Sequence, residues 1–189
     1  SKKRVSIPVE TIRQIQQSCL EHDDDMRWLI ALISDTGMRL AEAAGLHVDD
    51  IKLDEDIPYV DIKPHPWRSL KTKGSQRQVP LVGASLWAAH RIRANASSCF
   101  AFPRYTDNTR CNANSASNAL NKWLHANFRK DIVIHGFRHA MRDRLRAVSC
   151  PSEMIDQIGG WSSGKVGEGY GEGFKSKAIS NYLLKCITP

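Results

Sequence analysis

His135, Arg138 and His139 stand three and four positions apart in the stretch IHGFRHAMRDRL, and Arg142 follows one turn later. On a helix all four share one face. A guanidinium grips a phosphate through two parallel N–H bonds, and an imidazole donates a hydrogen bond or carries a proton. Such a stretch, if buried, needs a counter-charge, because an unpaired buried cation costs on the order of several kcal/mol. A bound phosphate is one answer. A solvated basic face is the plain alternative, and the stretch alone does not decide between them.

Three further sets bear on the choice. In DTGMRLAEAAGL, Arg39 comes three residues before Glu42, just past a glycine. An arginine at a helix start adjoins free backbone amides, which favour an anion, and Glu42 would hold its guanidinium. Read plainly, the two form a surface ion pair worth ~0–1 kcal/mol. In KTKGSQRQVPL, Lys71 and Lys73 flank a polar turn and would reach a groove or a leaving oxygen from a hairpin tip; most lysine-rich turns are only solvated. In IGGWSSGKVGEGYGEGF, Tyr170 sits between glycines, a poor place for a core residue and a good one for in-line attack on a phosphorus.

The elements that must position these residues can be read from periodicity. Val9, Ile12, Ile15 and Cys19 mark one face of a first helix, with Pro8 suited to its first turn. DDDMRWLIALISDTG is a second helix, acidic at its start and ended by Gly37. RLAEAAGL adds one or two turns, stopped by Gly45. PYVDIKP reads as a strand, and SLKTKGSQRQVPL as two strand ends around Gly74 and Ser75. ASLWAAHRIRANA is helical, residues 101–114 form a loop, and the next helix is capped by Asn114 or Ser115. The final helices are expected in PSEMIDQIGGW, opened by a capping-box-like Ser152, and in KSKAISNYLLKC. The expected fold is mainly α with a small antiparallel three-stranded β-sheet.

Composition bounds the partner. The 189 residues fit one domain. With 27 Lys and Arg against 20 Asp and Glu, the formal charge is +7, which favours nucleic acid. Cysteines 19, 99, 111, 150 and 186 are odd in number and form no CxxC pair, so a disulfide framework or zinc ribbon is not expected and a reducing cytosol fits. No apolar run is long enough to span a bilayer. The opening SKKRVS, without an initiator Met, reads as part of a longer chain with a further N-terminal domain.

Taken together, Arg39, His135, Arg138, Trp161 and Tyr170 resemble, in order and spacing, the tyrosine recombinase (phage integrase) family over about residues 9–184. The first-arginine box of that family looks like TGMRLAEAAGL, and its HxxRH box like HGFRH. Its LGH box looks like GGW, with Tyr170 nine residues after Trp161. Trp161 stands where most members carry histidine; an indole N–H still donates to a phosphate oxygen but does not transfer a proton. Lys71 best matches the hairpin lysine, and Lys73 stays open.

The resemblance implies the fold of the catalytic domain of DNA breaking-rejoining enzymes and chemistry that needs no metal or other cofactor. Tyr170 would attack a phosphodiester of double-stranded DNA and form a 3′-phosphotyrosyl bond. Arg39 and Arg138 would clamp the non-bridging oxygens, Lys71 or Lys73 would protonate the leaving 5′-oxygen, and His135 and Trp161 would donate to the phosphate. Glu42 supports Arg39. His139 is either a further site residue or a buried structural histidine. Arg77, Arg104, Arg110 and Arg142 are candidate DNA contacts. The full protein would act as a homotetramer on paired sites in the bacterial cytosol, while an isolated catalytic domain would be monomeric. Alternatives are a type IB-like topoisomerase and a non-catalytic basic DNA-binding module. A metallo-nuclease built on the carboxylates of EHDDD and VDDIKLDED is weaker, since no ligand spacing joins them to the histidines.

Overall fold

The computed structural model describes residues 6–161 and 173–188. Eight helices and a three-stranded antiparallel sheet run in the order α1 (Val9–His22), α2 (Asp25–Ser34), α3 (Leu40–Ala44), β1 (Ile51–Lys52), β2 (Tyr59–Ile62), β3 (Arg77–Pro80), α4 (Gly83–Ala94), α5 (Ala113–Asn127), α6 (Gly136–Ala147), α7 (Ser152–Gly159) and α8 (Ser176–Ile187). The expected class is therefore the observed one. Among the described residues no helix is long and apolar enough to cross a membrane.

The organising element is α2. Leu29 to Ile33 are all buried, so the helix is apolar all round and sits inside the bundle, packed on α1, α3, α4 and α6. Asp24 caps its start by accepting from the Arg27 amide at 3.1 Å. Gly37 ends the turn beyond it with φ of 70°. Helix α1 buries Ile12, Ile15 and Cys19 against this core, but Val9 is 41% exposed, because it lies at the first turn beyond the core's edge.

The sheet has the expected strand number with a different membership. Its order is β1-β2-β3, with Ile51 opposite Val60 and Val60 opposite Val79. The third strand is Ile51–Lys52, not the arm before Gly74. Ser69 to Thr72 form no strand; Lys73–Ser75 make a tight 3-10 turn leading into β3. Along β3, Arg77 and Val79 face inward while Gln78 is exposed, the two-residue period of a half-buried strand.

Two helix starts also differ from expectation. Helix α5 is capped by Asn112, whose Oδ1 accepts from the Ser115 amide at 3.1 Å, two residues before the expected position. Ser152 is the first residue of α7 and makes no side-chain cap; Pro151 precedes it.

Candidate active site

Glu42 is the hub of the site. Helix α3 is only five residues long, and side chains hold both its ends. At the start, the Arg39 amide donates to Glu42 Oε1 at 2.8 Å. At the far end, Arg68, Thr106 and Trp67 donate to the carbonyls of Glu42, Ala44 and Gly45 at 3.0, 2.7 and 2.8 Å. The Glu42 side chain then accepts from Arg39 Nη1 at 3.2 Å and from Arg77 Nη1 and Nη2, each at 2.9 Å. Burial would push this carboxyl up, but the Arg77 bonds and charge, with the Arg39 amide and guanidinium, hold it below its ordinary 4.5.

Arg77, expected to reach DNA, is therefore corrected. Its strand register turns it inward, and its fork is spent on Glu42.

Helix α7 ends with carbonyls that have no amide of their own to accept from. Three arginines from three different elements supply the donors, in sequence. Arg77 Nε donates to Ile158 O at 2.8 Å, Arg138 Nη1 to Gly159 O at 2.9 Å, and Arg39 Nη2 to Gly160 O at 3.3 Å. Gly160 adopts φ of 64°, and a Cβ there would stand 2.6 Å from Arg77 Nη1. The glycine is required both by the left-handed cap and by the approach of the guanidinium. Sequence reasoning placed Arg39 and Arg138 in one site; the backbone acceptors that align them carry no side-chain signature.

Arg138 is 3% exposed. Its Nη1 also donates to Gly37 O at 2.8 Å, and it forms no ion pair among the described residues. Burial first, then the neighbouring cations Arg39, Arg77 and Arg142, push it down to about 9 against the pull of Glu42. It remains a cation at neutral pH, held in an environment short of negative charge.

Beside these arginines opens a cavity of ≈ 320 Å³, lined by Arg39, Lys71, Thr72, Arg142, Gly160 and Trp161, with Asp156 on its wall. Lys71 lines it, whereas Lys73 begins the 3-10 turn and does not. His135 is exposed at the start of α6, and the half-buried His139 meets it edge-on with ring centroids 5.4 Å apart. Tyr170 lies outside the described residues. Just past it in the sequence, the Phe174 amide donates to Gln157 Oε1 at 2.9 Å and Gln157 Nε2 donates to the Phe174 carbonyl at 3.0 Å. Arg104 and Arg110 do not line the cavity; Arg104 is paired with Asp25 at 2.7 Å.

One arginine of the opening stretch was not singled out by its spacing. Arg144 is buried and bonded to Asp35 at 2.9 Å and to Ser34 O at 2.9 Å. The acidic runs are likewise spent within the fold. Asp23 accepts from Trp28 and Arg91, Asp50 contacts His65 at 2.7 Å, and Asp54 pairs with Arg93.

The phage integrase family model matches residues 6–173. Tyrosine recombinase XerC of Neisseria meningitidis serogroup B (strain MC58) is 30% identical over 140 residues, covering 71% of this chain and 43% of that protein. XerC of a serogroup C strain (FAM18) is 29% identical over the same length. The chain thus spans less than half the length of these relatives. Among solved structures, the Tn1549 transposon integrase in complex with circular intermediate DNA superposes with a TM-score of 0.63 at 15% identity, covering 96% of this chain and 63% of that one. A variant of that integrase in complex with transposon right end DNA gives 0.60 and covers all of this chain and 63% of its own. At this identity the structural likeness speaks for the fold alone.

Proposed function

The chain belongs to the phage integrase family, and on that basis we propose that it breaks and rejoins double-stranded DNA through Tyr170, as the catalytic domain of a site-specific recombinase of a phage or mobile element. The observation that supports this best is the meeting of Arg39 and Arg138, ninety-nine residues apart in the chain, on adjacent carbonyls beside a cavity that Lys71 lines.

In the forward step the Tyr170 phenolic oxygen attacks the scissile phosphorus while the bond to the 5′-oxygen breaks. The phenolic proton leaves to His135 or water, and Lys71 Nζ gives a proton to the departing 5′-oxygen. A 5′-hydroxyl of a second strand reverses the step, so bond energy is conserved. Arg39 and Arg138 neutralise the charge that gathers on the non-bridging oxygens, a role worth roughly 10²–10³ in rate for each donor. Among the two candidate lysines, the cavity wall favours Lys71. His135 and the Trp161 indole N–H would donate to the phosphate. His139 keeps both roles open between site and support. In the whole protein these steps take place on paired sites within a homotetramer in the bacterial cytosol.

The test is a pool of nicked duplexes of randomised sequence, scored for detergent-resistant protein–DNA adduct. The chain should form the adduct in excess chelator and Tyr170→Phe should not. Adduct formation by the phenylalanine variant, or none by the parent chain, overturns the reading. Supercoiled plasmid relaxed by the monomer would instead favour the topoisomerase.

A further inference from the structure

Trp161 is seated in an unusual way. Its ring folds back over the end of α7, so that a Cβ added at Gly159 would lie 1.9 Å from Cζ3 and 2.0 Å from Cε3. Any side chain at 159 would evict the indole. From that seat the ring meets two guanidinium groups. Arg142 Cζ lies 4.0 Å from the ring centroid and Arg138 Cζ 4.6 Å. Both are well inside the ~6 Å reach of a cation–π contact.

The two arginines differ in what else they hold. Arg138 donates to two carbonyls. Arg142 is half-buried on the cavity wall and makes no hydrogen bond or ion pair among the described residues. Its neighbour Asp143 lies 4.0 Å from Arg146, and Asp156 shares the cavity wall without coming within ion-pair distance of Arg142. Stacking occupies the flat face of a guanidinium and leaves the N–H edges open to a bidentate acceptor. Of the arginines gathered here, Arg77 spends its whole fork on protein oxygens, and Arg39 and Arg138 spend part of theirs. The edges of Arg142 are not so committed among the described residues.

We infer that Arg142 is a phosphate-binding residue of this cavity, held in place by Trp161 acting as a stacking platform. The inference rests on the reading of the cavity as a site for a DNA phosphate. It assigns Trp161 a role distinct from that of a hydrogen-bond donor, and it gives the Gly159–Trp161 pair a single purpose. The bound group is a phosphodiester of the duplex backbone, so the contact carries no base preference.

The test uses the same randomised duplex pool, read first as binding by fluorescence anisotropy across a salt series. Arg142→Gln should weaken binding about tenfold or more and flatten the slope of log K against log salt by about 0.9, one phosphate's worth. Its melting temperature should stay near that of the parent. Trp161→Phe keeps a ring face without the N–H and should bind more tightly than Trp161→Ala, and adding Trp161→Ala to Arg142→Gln should cost little more. An unchanged slope in Arg142→Gln overturns the phosphate contact, and equal losses in Trp161→Phe and Trp161→Ala overturn the platform. Absence of duplex binding by the parent chain overturns both. Failure of the parent to form the adduct, with binding and slope behaving as described, counts against the recombinase chemistry alone.

Discussion

Arg138 and Arg144 lie six residues apart on α6, both buried, and the protein treats them in opposite ways. Arg144 meets Asp35 at 2.9 Å and donates to the carbonyls of Ser34 and Cys186, its Nε alone finding no partner among the described residues. Arg138 is given carbonyls and a ring face, feels the charges of Arg39, Arg77 and Arg142, and feels the pull of Glu42, which Arg39 and Arg77 already share. Burial of a charge is costly whichever end it occupies. At one end the fold settles that cost internally, and the cation serves to join α2, α6 and α8. At the other end no carboxylate pairs with the cation among the described residues, and that is the deficit the proposed phosphate would meet. On the proposed reading, it is the missing carboxylate among the described residues, more than the arginine itself, that sets this end of the helix apart.

The sharpest way to break this comparison is Arg144→Ala. It strands Asp35 in the core, and urea unfolding should show a loss of about 3–5 kcal/mol. A loss under ~1 kcal/mol would mean that the pair is not structural. Next comes Arg138→Gln, expected to slow adduct formation roughly 10²–10³-fold while leaving the urea midpoint unchanged or raised, since a cation without a carboxylate is removed. A large fall in stability there would make the two ends alike. The smallest effect concerns acid. Because the folded protein holds Glu42 below 4.5, its ionised form contributes stability that is fully present above that pH and is lost as the pH falls through the lowered value. Glu42→Gln should therefore flatten the dependence of the urea midpoint on pH in the acid range, and an unchanged slope would remove Glu42 from the account.

Much of this site was legible before any fold was known, because the side chains that do phosphoryl chemistry are few and their spacing on helices is regular. Arg39 and Arg138 were both identified, and Glu42 was matched to Arg39. What remained hidden had physical causes. Arg77 looked like a hairpin cation, since a lone arginine on a short strand has the same composition whether it faces in or out; only the register with Val79 turns it inward. Arg144 was indistinguishable from its neighbours because its partner, Asp35, is 109 residues away in sequence. Strand β1 has two residues and lies among acidic turns, too short for alternation to show. Asn112 was missed as a cap because Asn114 and Ser115 are equally good cap residues and sit nearer the apolar pattern. The carbonyl acceptors of Ile158, Gly159 and Gly160 are backbone atoms, invisible to any reading of side-chain types.

Helix α7 has a mechanical consequence. Its last carbonyls fasten three arginines, its tip starts the segment leading to Tyr170, and its Gln157 moors that segment's return at Phe174. The guanidinium cluster and the described residues on both sides of 162–172 thus share one mounting. A tilt of this short rod would carry the three guanidinium groups together with Trp161 and Phe174. Damage to the rod itself would disturb the guanidinium groups and both of those anchor residues in a single stroke.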